Sequence, residues 1–172
     1  AIAKADEHIC KNPKKRFELV VFDFPGHAGT SDLLELSLEM DYILSPIEAD
    51  VQSMVSCLAY AKTMQDLGVS MTGARIKDVM LLWNKVDRRV KSTLIEKYSE
   101  YIRNEGYTLF DEHVYAAHRF CHELEQYGFR GAFRSTYLAP GKAQRAGTGL
   151  DEMIDSLLTH IRLKKEADNG TD

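Results

Sequence analysis

The chain has 172 residues, 44% of them hydrophobic, which suffices for one domain with one buried core. A net charge of -4 excludes a strongly basic nucleic-acid-binding surface, so any contact with DNA must come from a local patch. Three cysteines without short paired spacing favour reduced thiols in a cytoplasmic protein, and no apolar run approaches the roughly 18 residues that a membrane span needs. Because the chain starts at Ala1 without a methionine, we interpret it as a piece of a longer product.

In chain order, the first predicted elements are a strand and a short helix. Residues 17–22 are mainly β-branched, aromatic or apolar and predict a buried strand that ends at Asp23. A loop with proline and glycine follows. The next helix is predicted to begin at Thr30 or Ser31, which both suit an N-cap, and to run to about Met40.

The middle of the chain predicts two strands around a long helix. Residues 41–44 are predicted to form the first of these two strands. Asp50 is predicted to cap a helix whose apolar positions repeat with a period of about 3.6 residues. Gly68 is predicted to end that helix after Leu67. Residues 75–83 contain VMLLW, the most continuous apolar run of the chain, and predict a strand.

The last part of the chain repeats this alternation. Its predicted elements are a helix over 92–104, a strand over 107–114, a helix over 116–126, an extended stretch over 133–138 and a helix over 150–164. The alternation predicts an α/β fold with three layers, a parallel sheet with helices on both faces. We expect a single domain over 1–164 and a polar tail over 165–172. Ligands of such sheets bind beyond the carboxyl ends of the strands.

The segment LVVFDFPG, residues 19–26, places an aspartate at the end of an apolar strand. This is the Walker B arrangement, in which Asp23 binds Mg²⁺ directly or through water beside the phosphates of a nucleotide. Gly26 would leave its backbone N–H free to approach a γ-phosphate. The alternative interpretation is that Asp23 only caps the turn after the strand.

The segment LLWNKVD, residues 81–87, ends another apolar strand. Asn84 would hydrogen-bond the base edge of a nucleotide, and Asp87 would bind the N1 and N2 donors of guanine if the ligand were GTP. The alternative is an ordinary polar turn, in which Asn and Asp are common. Together, Asp23 and Asn84 predict a nucleotide held between two loops on one edge of the sheet.

A phosphate-binding loop of the pattern GxxxxGK[ST] occurs nowhere in the sequence. Residues 26–29 lack the lysine, and the pair Gly141-Lys142 lacks the earlier glycine and a following serine or threonine. The chain alone therefore offers no recognisable group for the β- and γ-phosphates.

Two further groups of side chains suggest weaker sites. Zinc could be bound by His113, His118, Cys121 and His122, but exposed histidines are favoured because no second ligand cluster accompanies them. DNA or phosphate could be contacted by Arg130, Arg134, Lys142 and Arg145, for which a solvated loop is the favoured alternative.

These motifs resemble a known family. LVVFDFPG resembles the Walker B strand of the ParA, MinD and Soj deviant-Walker P-loop ATPases, which carry an apolar run, Asp, one residue, Pro, and then Pro or Gly. SPIEADVQSMVSCLAYAKTMQDL resembles the strand end and long helix that follow there, and LLWNKVD resembles the adenine-side loop. With FRSTYLAP before an apolar final helix, the chain is most similar to the TraA proteins of Bacteroides-type conjugative transposons. The resemblance covers about residues 15–163.

The resemblance implies an ATPase that dimerises around ATP, binds DNA weakly and without sequence preference, and works with other partition or conjugation proteins. It implies Asp23 as the catalytic, Mg²⁺-side aspartate and Asn84 as the residue that faces adenine. The family's KGGxGK[ST] loop and switch aspartate are missing, so ATP and Mg²⁺ are expected only when that region is present. The family's first strand is central in its sheet, and its loss would expose apolar sheet edges.

Two alternatives remain open. A GTPase-type module fits because DFPG matches DxxG and NKVD matches NKxD, although the proline in DFPG and the lack of an SAK-like loop after Asp87 favour the ParA type. A non-catalytic interaction protein that kept the fold without the phosphate loop is the other, and it predicts no nucleotide binding.

Overall fold

Three short parallel strands form the sheet of this protein. The structure, a computed structural model, describes residues 17–24, 31–89, 93–120 and 140–163. The strands lie in the order β1-β2-β3 and are β1 (Tyr42–Ile47), β2 (Asp78–Trp83) and β3 (Thr108–Leu109). In the parallel pairing of β1 with β2, Tyr42 lies opposite Asp78 and Ile47 opposite Trp83. The described chain therefore has an α/β fold with a three-stranded parallel sheet. The predicted α/β class and the predicted parallel sheet are confirmed, and the three-layer P-loop arrangement stays a prediction.

The helices lie between and after these strands. They are α1 (Ser31–Leu38), α2 (Val51–Ser70), α3 (Thr93–Asn104), a 3₁₀ turn (His118–Phe120), α4 (Lys142–Arg145) and α5 (Leu150–His160). None of the helices within the described ranges has the length and apolar composition that crossing a membrane requires.

The capping of α2 confirms one prediction and corrects another. The carboxylate of Asp50 accepts a hydrogen bond of 2.8 Å from the backbone N–H of Ser53, which is the expected N-cap. The predicted end at Gly68 is wrong, because α2 continues to Ser70. A Cβ added at Gly68 would lie 3.7 Å from Cβ of Ile76, an ordinary packing distance. This turn of the helix therefore packs against Ile76, which precedes β2.

Strand β2 is the centre of the core, as its continuous apolar sequence predicts. All of its residues except the first are buried, which is typical of a parallel strand covered on both sides. One cluster joins Trp83 and its alternate neighbours in β2 to Met54 in α2 and Ile102 in α3. A second cluster joins Met80 and Leu82 to Phe110 and to Met153 in α5. The indole N–H of Trp83 donates a buried hydrogen bond of 2.8 Å to Oγ of Ser99.

The predicted first strand is wrong. Residues 17–24, called the outer segment below, do not belong to the sheet, and no backbone hydrogen bond among the described residues joins them to β1. The side chains of Phe17, Leu19, Val20 and Val21 are 44–80% exposed. An extended apolar run becomes a strand only when it forms backbone hydrogen bonds with a neighbouring strand, and among the described residues this segment forms none with β1.

Strand β3 is shorter than its predicted range of 107–114. After Leu109 the chain bends at Asp111, although Phe110 and Val114 still donate backbone hydrogen bonds to the carbonyls of Leu81 and Trp83. The predicted helix over 116–126 begins as the 3₁₀ turn. The rest of it, the extended stretch over 133–138 and the tail over 165–172 lie outside the described residues.

Candidate functional site

The loops that follow the three strands meet at the carboxyl edge of the sheet. Because the strands are parallel, their carboxyl ends lie side by side. The backbone N–H of Asn84 donates to the carbonyl of Ile47 at 2.8 Å and so joins the loops after β2 and β1. The backbone N–H of Val86 donates to the carbonyl of Val114, and the carbonyl of Val86 accepts from the N–H of Ala116. These two hydrogen bonds join the loop after β2 to the loop after β3. Backbone contacts therefore fix the three loops relative to one another.

A cleft of about 870 Å³ opens at this edge, between α1, β1 and the first turns of α2. We call it the carboxyl-edge cleft. Its walls include Leu33 of α1, Tyr60 and Cys57 of α2, and the predicted residue Asn84. Phe24, the residue after the predicted Asp23, also lines it, whereas Asp23 itself is not part of the described lining. Asn84 is half-buried, and Asp23, which precedes Phe24, is exposed. The structure thus brings Asn84 and the neighbour of Asp23 to one cleft.

The charges of the cleft wall are acidic. Its described lining includes Glu48 and Asp50 and contains no lysine, arginine or histidine. Glu48 forms an ion pair with Lys85, whose side chain is 64% exposed, and Asp50 is engaged in capping α2. The remaining polar groups are hydroxyls of serines and of Tyr60, the thiol of Cys57, and the side-chain amides of Gln52 and Asn84. Such a wall suits an uncharged group with hydrogen-bonding edges, and it does not neutralise phosphates.

The loop after Asn84 begins with an unusual backbone conformation. Lys85 has a φ of 53°, in the left-handed region that residues other than glycine rarely adopt. This turn is followed by Val86, which is buried and bridges to Tyr115. A conformation that costs about 1–2 kcal/mol persists only where its surroundings impose it. The position of Asn84 at the cleft is therefore set by the loop rather than by its own side chain.

Asp87 forms its hydrogen bonds with Arg89 and does not line the cleft. Its carboxylate accepts hydrogen bonds from the backbone N–H, Nε and Nη2 of Arg89, at 2.8–3.0 Å. These hydrogen bonds lower the pKa of Asp87 to about 2, so the group is charged and already bound. Asp87 is also absent from the described lining of the cleft. Of the two predicted residues in this loop, the structure brings only Asn84 to the site.

Sequence reasoning missed the contacts that close the loop after β3. The guanidinium of Arg88 lies 3.8 Å from the ring centroid of Tyr115, and the N–H of Tyr115 donates to the carbonyl of Thr148 at 2.8 Å. Gly149 has a φ of 72°, and a Cβ there would lie 2.0 Å from the carbonyl oxygen of His113. The sequence signal for this contact was the pair of glycines just before the final helix, at 147 and 149.

The predicted zinc ligands do not form a cluster in the described part of the chain. No group of three or more histidine, cysteine, aspartate or glutamate side chains suited to a metal occurs among the described residues. His113 is half-buried, and its pKa is lowered by burial and by the nearby charge of Arg103. Cys121 and His122 lie outside the described residues.

The predicted basic patch is only partly described. Arg130 and Arg134 lie outside the described residues, as does Gly26. The guanidinium of Arg145 pairs with Asp151 and donates to the carbonyl of Pro140, so it is already engaged. Lys142 is exposed at the first residue of α4.

Comparisons of the chain with protein-family models, with characterised proteins and with solved structures found no match.

Proposed function

We propose that the chain is the C-terminal portion of a ParA-like ATPase, and that the carboxyl-edge cleft takes the adenosine end of ATP. The supporting observation is that Asn84 and Phe24, the residue after Asp23, line one cleft at this edge of a parallel sheet. Nucleotides bind at this edge in open α/β sheets, including the three-layer P-loop fold to which we assign the chain.

The proposed roles follow from the chemistry of each side chain. The amide of Asn84 carries both a donor and an acceptor, which match the paired donor and acceptor on one edge of adenine. The exposed carboxylate of Asp23 provides one oxygen ligand of the kind that Mg²⁺ takes beside phosphates. Gly26 would approach the γ-phosphate through its backbone.

The described residues fit the nucleoside better than the triphosphate. A triphosphate needs cations, and the described wall of the cleft offers none. Bound Mg²⁺ would neutralise part of that charge, but a lysine-bearing loop is also needed. We therefore propose that this chain alone does not hydrolyse ATP, and that hydrolysis needs the Walker A region.

In the whole protein we propose a role in DNA partition or conjugative transfer of a mobile element in the cytoplasm. Its partners would be DNA, bound weakly and without sequence preference, a second copy of the protein, and other partition or conjugation proteins. The engagement of Asp87 by Arg89 supports adenine over guanine, because a guanine-binding aspartate needs free carboxylate oxygens.

A second candidate, a non-catalytic interaction protein, is favoured by a different observation. The cleft has no cationic residue in its described lining, and the outer segment exposes apolar side chains. Exposed contiguous apolar groups are typical of protein contact surfaces.

Calorimetric titration of the chain with adenosine, ATP and GTP separates these functions. We expect adenosine and ATP to bind with similar affinity, since the described cleft lacks cations, and GTP to bind more weakly. Asn84→Ala should weaken adenosine binding about 2- to 10-fold, the effect of one lost hydrogen-bonding group. Asn104→Ala, at the exposed end of α3, is the matched control and should have no effect. If the chain bound no nucleoside or nucleotide, the proposal would be refuted and the non-catalytic interaction protein would be the supported function.

A further inference from the structure

Glu48 and Asn84 lie side by side at the carboxyl edge of the sheet. They follow Ile47 and Trp83, which are the last paired residues of β1 and β2. The backbone N–H of Asn84 donates to the carbonyl of Ile47 at 2.8 Å. Neighbouring strands lie about 4.8 Å apart, so the two residues are adjacent across this edge. Both are half-buried and line the carboxyl-edge cleft, so an amide and a carboxylate border the same part of the cleft.

Glu48 is held through its backbone and through its side chain. Its backbone N–H donates to Oγ of Ser53, in the first turn of α2, at 3.1 Å. Its carboxylate oxygen Oε1 accepts a hydrogen bond from Nζ of Lys85, the residue with the left-handed backbone conformation. A side chain that is already fixed in this way loses little conformational freedom when a ligand binds, which favours binding.

The ion pair of Glu48 with Lys85 is not needed to join the two loops. Its side chains are 46% and 64% exposed, and ion pairs this exposed contribute little to stability. The backbone hydrogen bond from Asn84 to Ile47 already connects the loop after β2 to the loop after β1. The effect of the pair on the cleft is therefore to keep a carboxylate in place in its wall.

We propose that the carboxylate of Glu48 accepts hydrogen bonds from the 2′- and 3′-hydroxyls of the ribose, and that the cleft therefore selects ribonucleosides over deoxyribonucleosides. This inference rests on the proposed function, in which Asn84 holds the base. The sugar of a nucleoside is joined directly to the base, so a base at Asn84 brings its sugar to a neighbouring residue of the wall.

The chemistry of a carboxylate matches that of a ribose diol. The hydroxyls donate, and an ionised carboxylate only accepts, with about four lone-pair sites on its two oxygens. Pairing with Lys85 therefore leaves sites for both hydroxyls. An acidic side chain binds the ribose hydroxyls in the same way in dinucleotide-binding α/β sheets.

The other polar groups of the described wall are poorer partners for the ribose. Asp50 is exposed, and its carboxylate accepts the backbone N–H of Ser53 as the cap of α2. The hydroxyls, the thiol and the amide of Gln52 are neutral, and their hydrogen bonds to a hydroxyl are weaker than those of a charged acceptor. Within the described lining, Glu48 is therefore the charged acceptor that lies next to Asn84.

Calorimetric titration of the full chain with adenosine, 2′-deoxyadenosine and 3′-deoxyadenosine tests the inference. Removing either hydroxyl should weaken binding about 5- to 20-fold, the effect of one lost hydrogen bond to a charged group that is half exposed. The base is the same in all three nucleosides, so the comparison reports on the sugar alone.

Glu48→Gln assigns this selectivity to one side chain. The variant keeps the size of the residue and removes its charge, so it should weaken adenosine more than 2′-deoxyadenosine and bring the ratio of their dissociation constants to about 1–3. A variant that only distorted the cleft would weaken both nucleosides equally. Asp50→Asn removes the other charge of the described wall and keeps an N-cap acceptor, so as the matched control it should leave the ratio unchanged.

Three results would overturn the inference. Equal binding of all three nucleosides by the unmodified chain would mean that the cleft does not recognise the ribose. An unchanged ratio in Glu48→Gln would assign the recognition to another group, and loss of the ratio in Asp50→Asn would assign it to Asp50.

The same titrations separate this inference from the proposed function. In each of those three cases adenosine still binds, so the proposed function stands, whereas a chain that binds no adenosine would refute both. If Glu48→Gln fails to fold, NMR of the unmodified chain still decides, because the carboxyl ¹³C signal of Glu48 should shift more with adenosine than with 2′-deoxyadenosine. Equal shifts with the two nucleosides would overturn the assignment to Glu48.

Discussion

The substitution Ser99→Ala removes only one oxygen, but we expect it to lower the free energy of unfolding because that oxygen accepts a hydrogen bond from Trp83. The indole N–H donates at 2.8 Å, Trp83 is fully buried and Ser99 is 8% exposed, so no water replaces the lost acceptor. An unsatisfied buried donor costs about 1–3 kcal/mol. Alanine in the middle of α3 returns about 0.5 kcal/mol of helix propensity, so the net loss should be about 0.5–2.5 kcal/mol.

Urea unfolding followed by the fluorescence of Trp83, the single tryptophan of the chain, measures this loss directly. The matching shift in melting temperature is about 1–10 °C. Ser56→Ala, at an exposed position of α2, is the control and should be neutral or slightly stabilising. In a Trp83→Phe background, followed by circular dichroism, Ser99→Ala should no longer destabilise. Unchanged stability of Ser99→Ala in the native background would refute the contact.

The remaining predictions concern the loops at the carboxyl edge. Gly149→Ala should cost about 2–4 kcal/mol in denaturant unfolding, because its Cβ meets a backbone carbonyl, whereas Gly106→Ala, with a φ of 83° and open space, should cost only about 1–2 kcal/mol; equal losses would contradict the clash. The lowered pKa of His113 means that the unfolded chain binds its proton more readily than the folded chain, so stability should fall as the pH falls below the unfolded pKa of 6.5. That fall should be smaller in His113→Gln, and an identical pH profile for the variant would contradict the assignment. Asp87→Asn should leave adenosine binding unchanged in calorimetry, since Asp87 is bound to Arg89, and a large loss would place Asp87 at the base instead.

The helices and the central strand could be predicted because each carries its own signal. Asp50 caps the N-terminus of α2 through its side chain. Of the periodic apolar positions of that helix, Met54 and Ala61 are buried in the core, whereas Val51 and Val55 are exposed. The run VMLLW predicted a strand, which β2 is, and all residues of β2 except the first are buried. These signals are local, so one sequence suffices to recognise them.

The outer segment could not be predicted, because strand formation depends on a neighbour. Its residues have strand composition, but pairing requires backbone groups from another strand, and no property of residues 17–22 reveals whether that strand is present. The end of β3 was missed for a similar reason, since the bend at Asp111 depends on contacts with β2 and with the loop that contains Gly149.

The candidate site was predicted in part. The order of the strands brought Asn84 to the carboxyl edge, as parallel topology requires. The pairing of Asp87 with Arg89 was not predicted, because the same NKxD letters fit a free carboxylate and a bound one. The cleft itself arises from the space between α1, β1 and α2, which no single segment encodes.

Nuclear Overhauser effects between adenosine and the isotope-labelled chain test the central claim most directly, because they report which protons lie next to the ligand. The proposed function requires contacts from the base to the side-chain amide of Asn84 and from the bound nucleoside to the ring of Phe24. Contacts confined to one of these residues, or contacts at a different surface of the chain, would contradict it.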